Sequence, residues 1–220
     1  KRISQMQAEG VEFRPNSHVG QNVDPNSILS KFDAIALTGG SEQPRDLPIP
    51  GRELDGIHYA MDFLTQQNRR NSGEPLGNSR EILATDKHVI VLGGGDTGAD
   101  CVGTSARQKA ASITQMEIMP KPPEKEDKDM TWPNWPMKLR TSTSHDEGCM
   151  REWAVGTTAF KGKNGKVTSL KGTQIDWSNG KPEAVKGSEY EIKADLVLLA
   201  MGFLNPVHEI MLNDFGVDYD

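Results

Sequence analysis

Two unbroken apolar runs stand out along this chain, Val89-Ile90-Val91-Leu92 after His88 and Leu196-Val197-Leu198-Leu199-Ala200 after Asp195. Short runs without polar alternation predict strands buried on both faces, as in parallel sheets. Each is followed by glycine, Gly93 in the first case and Met201-Gly202 in the second. A third run, Phe32 to Thr38, ends in Gly39-Gly40 and predicts another buried strand leading into a turn. After Leu92 the period changes. Gly98, Cys101, Val102, Ser105 and Ala106 recur at helical spacing, predicting a helix from about Asp96 to Ala110 with a small-residue inner face. Ser112 to Met119 reads as the next strand, which completes one βαβ unit.

The remainder is less regular. Residues 1–31 read as a helix end, a short strand at Val11–Phe13 and turn-rich sequence. Pro44, Pro48, Pro50 and Gly51 mark residues 41–51 as a connector. Ile57, Tyr59, Ala60, Met61, Phe63 and Leu64 follow a helix-compatible rhythm up to the polar stretch 66–77. Pro120 to Glu147 predicts a long loop carrying Trp132-Pro133-Asn134-Trp135-Pro136, and loops of that length are usually functional or disordered. Beyond it, turns at Asn164-Gly165 and Asn179-Gly180 separate predicted strands at Trp153–Phe160, Val167–Trp177 and Tyr190–Ile192.

Composition narrows the function classes. A net charge of −6 argues against a general nucleic-acid or membrane-surface binder. No apolar run approaches the roughly 20 residues that span a bilayer. The two cysteines, Cys101 and Cys149, form no Cys-x-x-Cys pair, which excludes a four-cysteine iron–sulfur cluster within these residues and fits a reducing, cytoplasmic setting. Lys1 stands where an initiator Met would, and no signal peptide follows, so the chain reads as a piece of a longer protein.

Candidate chemistry concentrates at Gly93-Gly94-Gly95-Asp96-Thr97-Gly98. Gly93-x-Gly95-x-x-Gly98 between a strand and a helix fits the dinucleotide fingerprint. Gly93 would permit the sharp turn, Gly95 the close approach of a pyrophosphate, and Gly98 tight helix–strand packing, while the helix start favours a diphosphate. Asp96 is the candidate N-cap. No Lys-Ser/Thr pair follows the last glycine, so a Walker-type loop is excluded. Glu117, nineteen residues beyond Gly98, sits where an acid holds the adenine ribose of NADH; Arg107, Lys109 and Lys121 are candidates for meeting the 2′-phosphate of NADPH. Both cofactors stay open.

The block from Gly93 to Ser105 closely resembles the small (beta) subunit of pyridine-nucleotide-dependent glutamate synthase. The similarity continues through Glu117–Pro123, residues 132–136, Ser144–Trp153, Phe32–Gly40, Leu47–Gly51 and Ala194–Pro206. The resemblance implies a two-dinucleotide flavoprotein, with an NAD(P)H domain inserted in an FAD domain. Hydride would pass from NAD(P)H to FAD, and electrons onward through iron–sulfur clusters to the large subunit for glutamate synthesis. It also implies that Thr38-Gly39-Gly40 and Met201-Gly202 occupy the crossovers joining the domains. No FAD fingerprint or cysteine-rich segment is present, and Glu117-Ile118-Met119 stands where relatives of this type often carry paired arginines.

The resulting expectation is an α/β, Rossmann-like NAD(P)H-binding domain, with a parallel βαβ sheet plus an antiparallel β-meander, over residues 46–202. Residues 1–45 and 203–220 would be borders of the FAD-binding domain. FAD and iron–sulfur clusters belong to the full-length protein or complex. No residue is required as general acid or base, because cofactors carry the hydride chemistry. Two alternatives remain: a non-catalytic nucleotide-binding or assembly module, and another NAD(P)H:flavin oxidoreductase of the same plan. His145, Asp146, Glu147 and Cys149 read as solvated loop rather than a metal site, and Cys101 as core. His18, His58, His88 and His208 are isolated. The Trp132–Trp135 loop is either a rigid packed loop or a cover for the nicotinamide or a partner subunit.

Overall fold

The computed structural model describes residues 1–77, 79–127, 133, 137–208 and 211–218. The chain divides into two compact units, Lys1–Gln43 with Phe203–Asp220, and Pro44–Gly202. The first unit holds helices α1 (Arg2–Ala8) and α2 (Pro25–Leu29) and a last short helix, Met211–Asp214. Asp24 starts α2 by accepting the Asn26 N–H at 3.0 Å, with Pro25 at the first helical position.

Two predicted strands are absent from this unit. Val11–Phe13 and Phe32–Thr38 are irregular and exposed, with Phe32 54% accessible. The apolar run supplies β-propensity, but among the described residues no neighbouring strand offers these segments a ladder, and an extended segment alone leaves its backbone groups to water.

The second unit contains β1 (Ile57–Tyr59), α3 (Ala60–Ser72), β2 (His88–Leu92), α4 (Asp96–Arg107), β3 (Ser112–Glu117), α5 (Thr143–Asp146), β4 (Met150–Trp153), β5 (Val155–Lys163), β6 (Lys166–Asp176), β7 (Glu183–Ala184), β8 (Tyr190–Lys193) and β9 (Leu196–Leu199). A five-stranded sheet runs in the order β1-β9-β2-β3-β4, every pairing parallel. Strands β5, β6, β7 and β8 form an antiparallel meander, with β6 pairing to the other three.

Strand periodicity explains the layers. Val89 and Val91 of β2, with Leu196 and Leu198 of β9, pack against Phe63 of α3 and Cys101 and Val102 of α4. Their alternates, Ile90 and Leu92 with Val197 and Leu199, pack on the opposite face against Phe160, Val167 and Leu170 of the meander. Because both faces are covered, the strands read as continuous apolar runs rather than alternating ones.

Several boundaries differ from the sequence reading. Ile57–Tyr59 is a strand, and the helix begins only at Ala60, because these three residues pair with Val197–Leu199. That helix then continues through polar Gln66–Ser72 and ends at Gly73, φ +71°, a left-handed C-cap. The expected strand at Trp153–Phe160 is two strands. Ala154, φ +54°, breaks the chain so that β4 extends the parallel sheet while β5 enters the meander. Asn164-Gly165 takes φ values of +55° and +76°, the hairpin turn expected of that dipeptide. The predicted long loop contains α5, and the expectations for Trp132 and Trp135 concern residues outside those described.

Candidate nucleotide-binding site

The site is built at the carboxyl end of the parallel sheet, where β2 turns into α4. Gly93 has φ +124°, and a Cβ there would lie 2.1 Å from the Ala200 carbonyl oxygen at the end of β9. A side chain on Gly94 would meet the Glu117 carboxylate at 2.8 Å, and one on Gly98 would lie 2.3 Å from the Gly93 carbonyl oxygen. These glycines are therefore demanded by the protein's own packing. Gly95 differs: nothing lies within 4 Å of where its Cβ would be. Its φ of −82° with ψ of −172° is extended backbone open to any residue, so neither crowding nor strain within the protein accounts for glycine there.

The turn delivers a row of unused donors. Gly94 N–H donates to Glu117 Oε2 at 2.6 Å. The N–H groups of Gly95, Asp96, Thr97 and Gly98 have no acceptor among the described residues; Ala99, bonded to the Gly95 carbonyl at 3.0 Å, is the first closed helical amide. The N-cap is Gly95 rather than Asp96. Asp96 is already the first helical residue and its side chain makes no capping bond, and its charge sits in the first turn, where the helix dipole favours it.

Around this turn lies a cavity of ≈ 860 Å³, within the range of small-molecule and cofactor sites. Its walls are Gly93–Thr97, Met116–Ile118 at the end of β3, Ala200–Gly202 at the end of β9, Val155–Thr158, Thr173 and Ile175 of the meander, Arg45–Leu47, Pro182 and Ala184. Open α/β sheets bind ligands in this position, beyond the carboxyl ends of strands.

The sequence-predicted residues separate here. Gly93, Gly94, Gly95, Asp96, Thr97, Glu117, Met201 and Gly202 line the cavity, with Gly98 directly behind the turn. Glu117 uses both oxygens on backbone, Oε2 on Gly94 N–H and Oε1 on Met119 N–H at 3.0 Å. The cations are placed differently. Arg107 ion-pairs with Glu147, Lys109 lies beyond the far end of α4, and the Lys121 ammonium sits 5.4 Å over the Trp153 ring. None of the three lines the cavity. Thr38, Gly39 and Gly40 belong to the first unit, in irregular, exposed backbone.

Two participants had gone unrecognised. Gln115, 2% exposed, lies in the middle of β3 and donates from Nε2 to the Gly93 carbonyl at 2.9 Å. Its lone amide among Ile113, Thr114 and Met116 was the available signal, since a buried amide must find partners. Arg45, within the connector, also lines the cavity. Asp46 next to it is held below the usual carboxylate range. Burial opposes ionisation there, but the Arg52 guanidinium at 2.7 Å and the Leu47 N–H outweigh it.

A parallel sheet with helices on one face, a glycine turn at its carboxyl end and a helix start facing a large cavity define an α/β dinucleotide-binding architecture. Residues 3–204 match the family described as pyridine nucleotide-disulphide oxidoreductase, and the chain belongs to that family. It is 44% identical to the glutamate synthase [NADPH] small chain of Mycobacterium tuberculosis H37Rv, an alignment covering all of this chain and 46% of that protein. It is 38% identical to the glutamate synthase [NADH] of Schizosaccharomyces pombe, over 94% of this chain and 10% of that protein. The chain thus spans less than half the length of these curated relatives. In fold it is similar to the thioredoxin reductase of T. acidophilum, with a TM-score of 0.53 at 18% identity, covering 83% of this chain and 47% of that one. No helix among the described residues is long and apolar enough to cross a membrane.

Proposed function

We propose that this chain is the NAD(P)H-binding part of a glutamate synthase small subunit. NAD(P)H held here would supply hydride for an FAD in the whole protein, and through iron–sulfur clusters the electrons would serve glutamate formation on a large subunit. The carrying observation is Gly95. It is the one glycine of the turn with open space in front of it, between a row of unpaired amides and a cavity of dinucleotide size. A pyrophosphate in that space would accept from the Gly95–Gly98 amides, aided by the α4 dipole. The similarity to glutamate synthase small chains supports the substrate system and the partner.

Glu117 lies on the cavity wall where an adenine ribose would rest, and none of Arg107, Lys109 and Lys121 lines the cavity. A carboxylate accepts from ribose hydroxyls and repels a 2′-phosphate, which favours NADH. Exposure of the Phe32–Leu37 run supports the first unit being borders of an FAD domain whose sheet those residues would join. Parallel titrations of the chain with NADH, NADPH and FAD test the reading. Saturable NADH binding, at least about tenfold tighter than NADPH, is expected, with no retained flavin. Absence of binding by either nicotinamide nucleotide would refute the site, and a yellow FAD-bearing chain would refute the division of cofactors.

A further inference from the structure

A directed hydrogen-bond chain connects α5 to the glycine turn. The Ser142 backbone N–H donates to His145 Nδ1 at 3.0 Å, with the Ser142 hydroxyl 3.1 Å from the same nitrogen. A backbone N–H can only donate, so Nδ1 is the acceptor and the neutral ring carries its proton on Nε2. That nitrogen lies 2.9 Å from Gln115 Oε1, to which it donates. The Gln115 amide is thereby oriented, leaving Nε2 to donate to the Gly93 carbonyl at 2.9 Å. Each link fixes the direction of the next, from a helix outside the cavity to the peptide that precedes Gly94.

The helix carrying His145 is braced on α4. Ser144 Oγ occupies space 2.6 Å from where a Gly103 Cβ would be, and Glu147 ion-pairs with Arg107. The imidazole is thus held against β3 from one side while its helix is seated on α4. Resting on the function proposed above, we infer that His145 is a positioning residue for dinucleotide binding: through Gln115 it sets the tilt of the Gly93–Gly94 peptide, and with it the amide row facing the cavity. It touches no ligand itself. The residue works as the middle link between the segment following Leu139 and the phosphate end of the site.

Nitrogen-15 spectra and NADH titrations of the wild-type chain and of His145→Ala, His145→Gln and Gln115→Leu test this. The amide of Gly94 shares its peptide group with the Gly93 carbonyl, so loss of the Gln115 bond moves the Gly94 ¹⁵N resonance without any nucleotide present. The expected results are an Nε2–H tautomer for His145, a displaced Gly94 resonance in His145→Ala and Gln115→Leu, and NADH dissociation constants raised about tenfold in both. In His145→Gln the side-chain amide replaces the Nε2–H donor, returning the Gly94 resonance and the affinity to within about twofold of wild type. An unmoved Gly94 resonance in His145→Ala overturns the chain of bonds, whatever the nucleotide data. An Nδ1–H tautomer does the same. A displaced resonance with unchanged NADH affinity overturns the positioning role while leaving the dinucleotide site intact. No NADH binding by wild type, with Gly94 responding as expected, removes the proposed function and the role that rests on it.

Discussion

Substituting Gly98 by Ala places a methyl carbon 2.3 Å from the Gly93 carbonyl oxygen and 2.7 Å from Gln115 Nε2, against ordinary contacts of roughly 3.4 Å or more. The obstacle is backbone and a hydrogen-bonded buried amide, not the free end of a flexible side chain, so α4 must withdraw from the sheet by about 1 Å. Forcing a methyl into a packed interior costs about 1–3 kcal/mol. Losing the Gln115 to Gly93 bond adds about 1 kcal/mol, and Ala in place of Gly within a helix returns about 1 kcal/mol. The net expectation is a destabilisation of about 1–3 kcal/mol, or roughly 3–10 °C in Tm for a chain of this size. Gly95→Ala is the matched control. It meets no atom within 4 Å and loses only the preference for Gly over Ala at an N-cap, under about 1 kcal/mol. Thermal and urea melts of both variants without nucleotide measure the difference. A Gly98→Ala chain melting with wild type, or a Gly95→Ala chain melting as far below wild type as Gly98→Ala does, would refute the assignment of one glycine to protein packing and the other to a ligand.

The site's histidine and the two thiols extend the account. His145 titrates below its ordinary value because burial disfavours the charged ring and Arg151 repels it, with Asp146 opposing. The unfolded chain therefore binds this proton more readily, so the contribution to stability is full above about pH 6.5 and lost as pH falls through the folded value. Urea midpoints of wild type and His145→Gln, close at pH 7.5, should separate as pH is lowered to 5, with wild type falling below the variant, and a constant gap would contradict a neutral, hydrogen-bonded ring. Burial pushes the Cys101 thiol up to about 12, with Asp100 adding to it. Cys149, half-buried, is raised by burial against the lowering influence of Arg151. Iodoacetamide at neutral pH should therefore label Cys149 slowly and Cys101 only on unfolding, read by peptide mass spectrometry. Faster labelling of Cys101 would mean that α4 does not pack on β2 as described.

The unit β2–turn–α4–β3 was legible because its signals are local. An apolar run, glycines at fixed offsets and a helical stripe of small residues all fall between His88 and Glu117. The insertion of β9 between β1 and β2 was not legible, since that order depends on pairing residues over 100 positions apart, such as Val89 with Leu196. Phe32–Leu37 shows the converse: a strand-like run takes strand form only where a neighbour offers a ladder. Glu117 was placed at the site by its position at a strand end. The grip of its two oxygens on the Gly94 and Met119 amides was invisible in one dimension. Arg107 and Lys121 were considered for the site from sequence proximity alone, which does not say that one side chain reaches Glu147 and the other the Trp153 ring. His145 sits in a stretch that reads as solvated loop, and only its distance to Gln115 in space separates it from Asp146 beside it.

Amide chemical-shift mapping of the ¹⁵N-labelled chain during NADH titration tests the central claim most directly. The largest displacements should fall on Gly95, Asp96, Thr97 and Gly98, whose N–H groups lack acceptors among the described residues, with smaller ones at Met116–Ile118 and Ala200–Gly202 around the cavity. Displacements centred instead on the opposite end of the sheet, around Arg80, Lys87 and Lys166, with residues 95–98 unmoved, would contradict it.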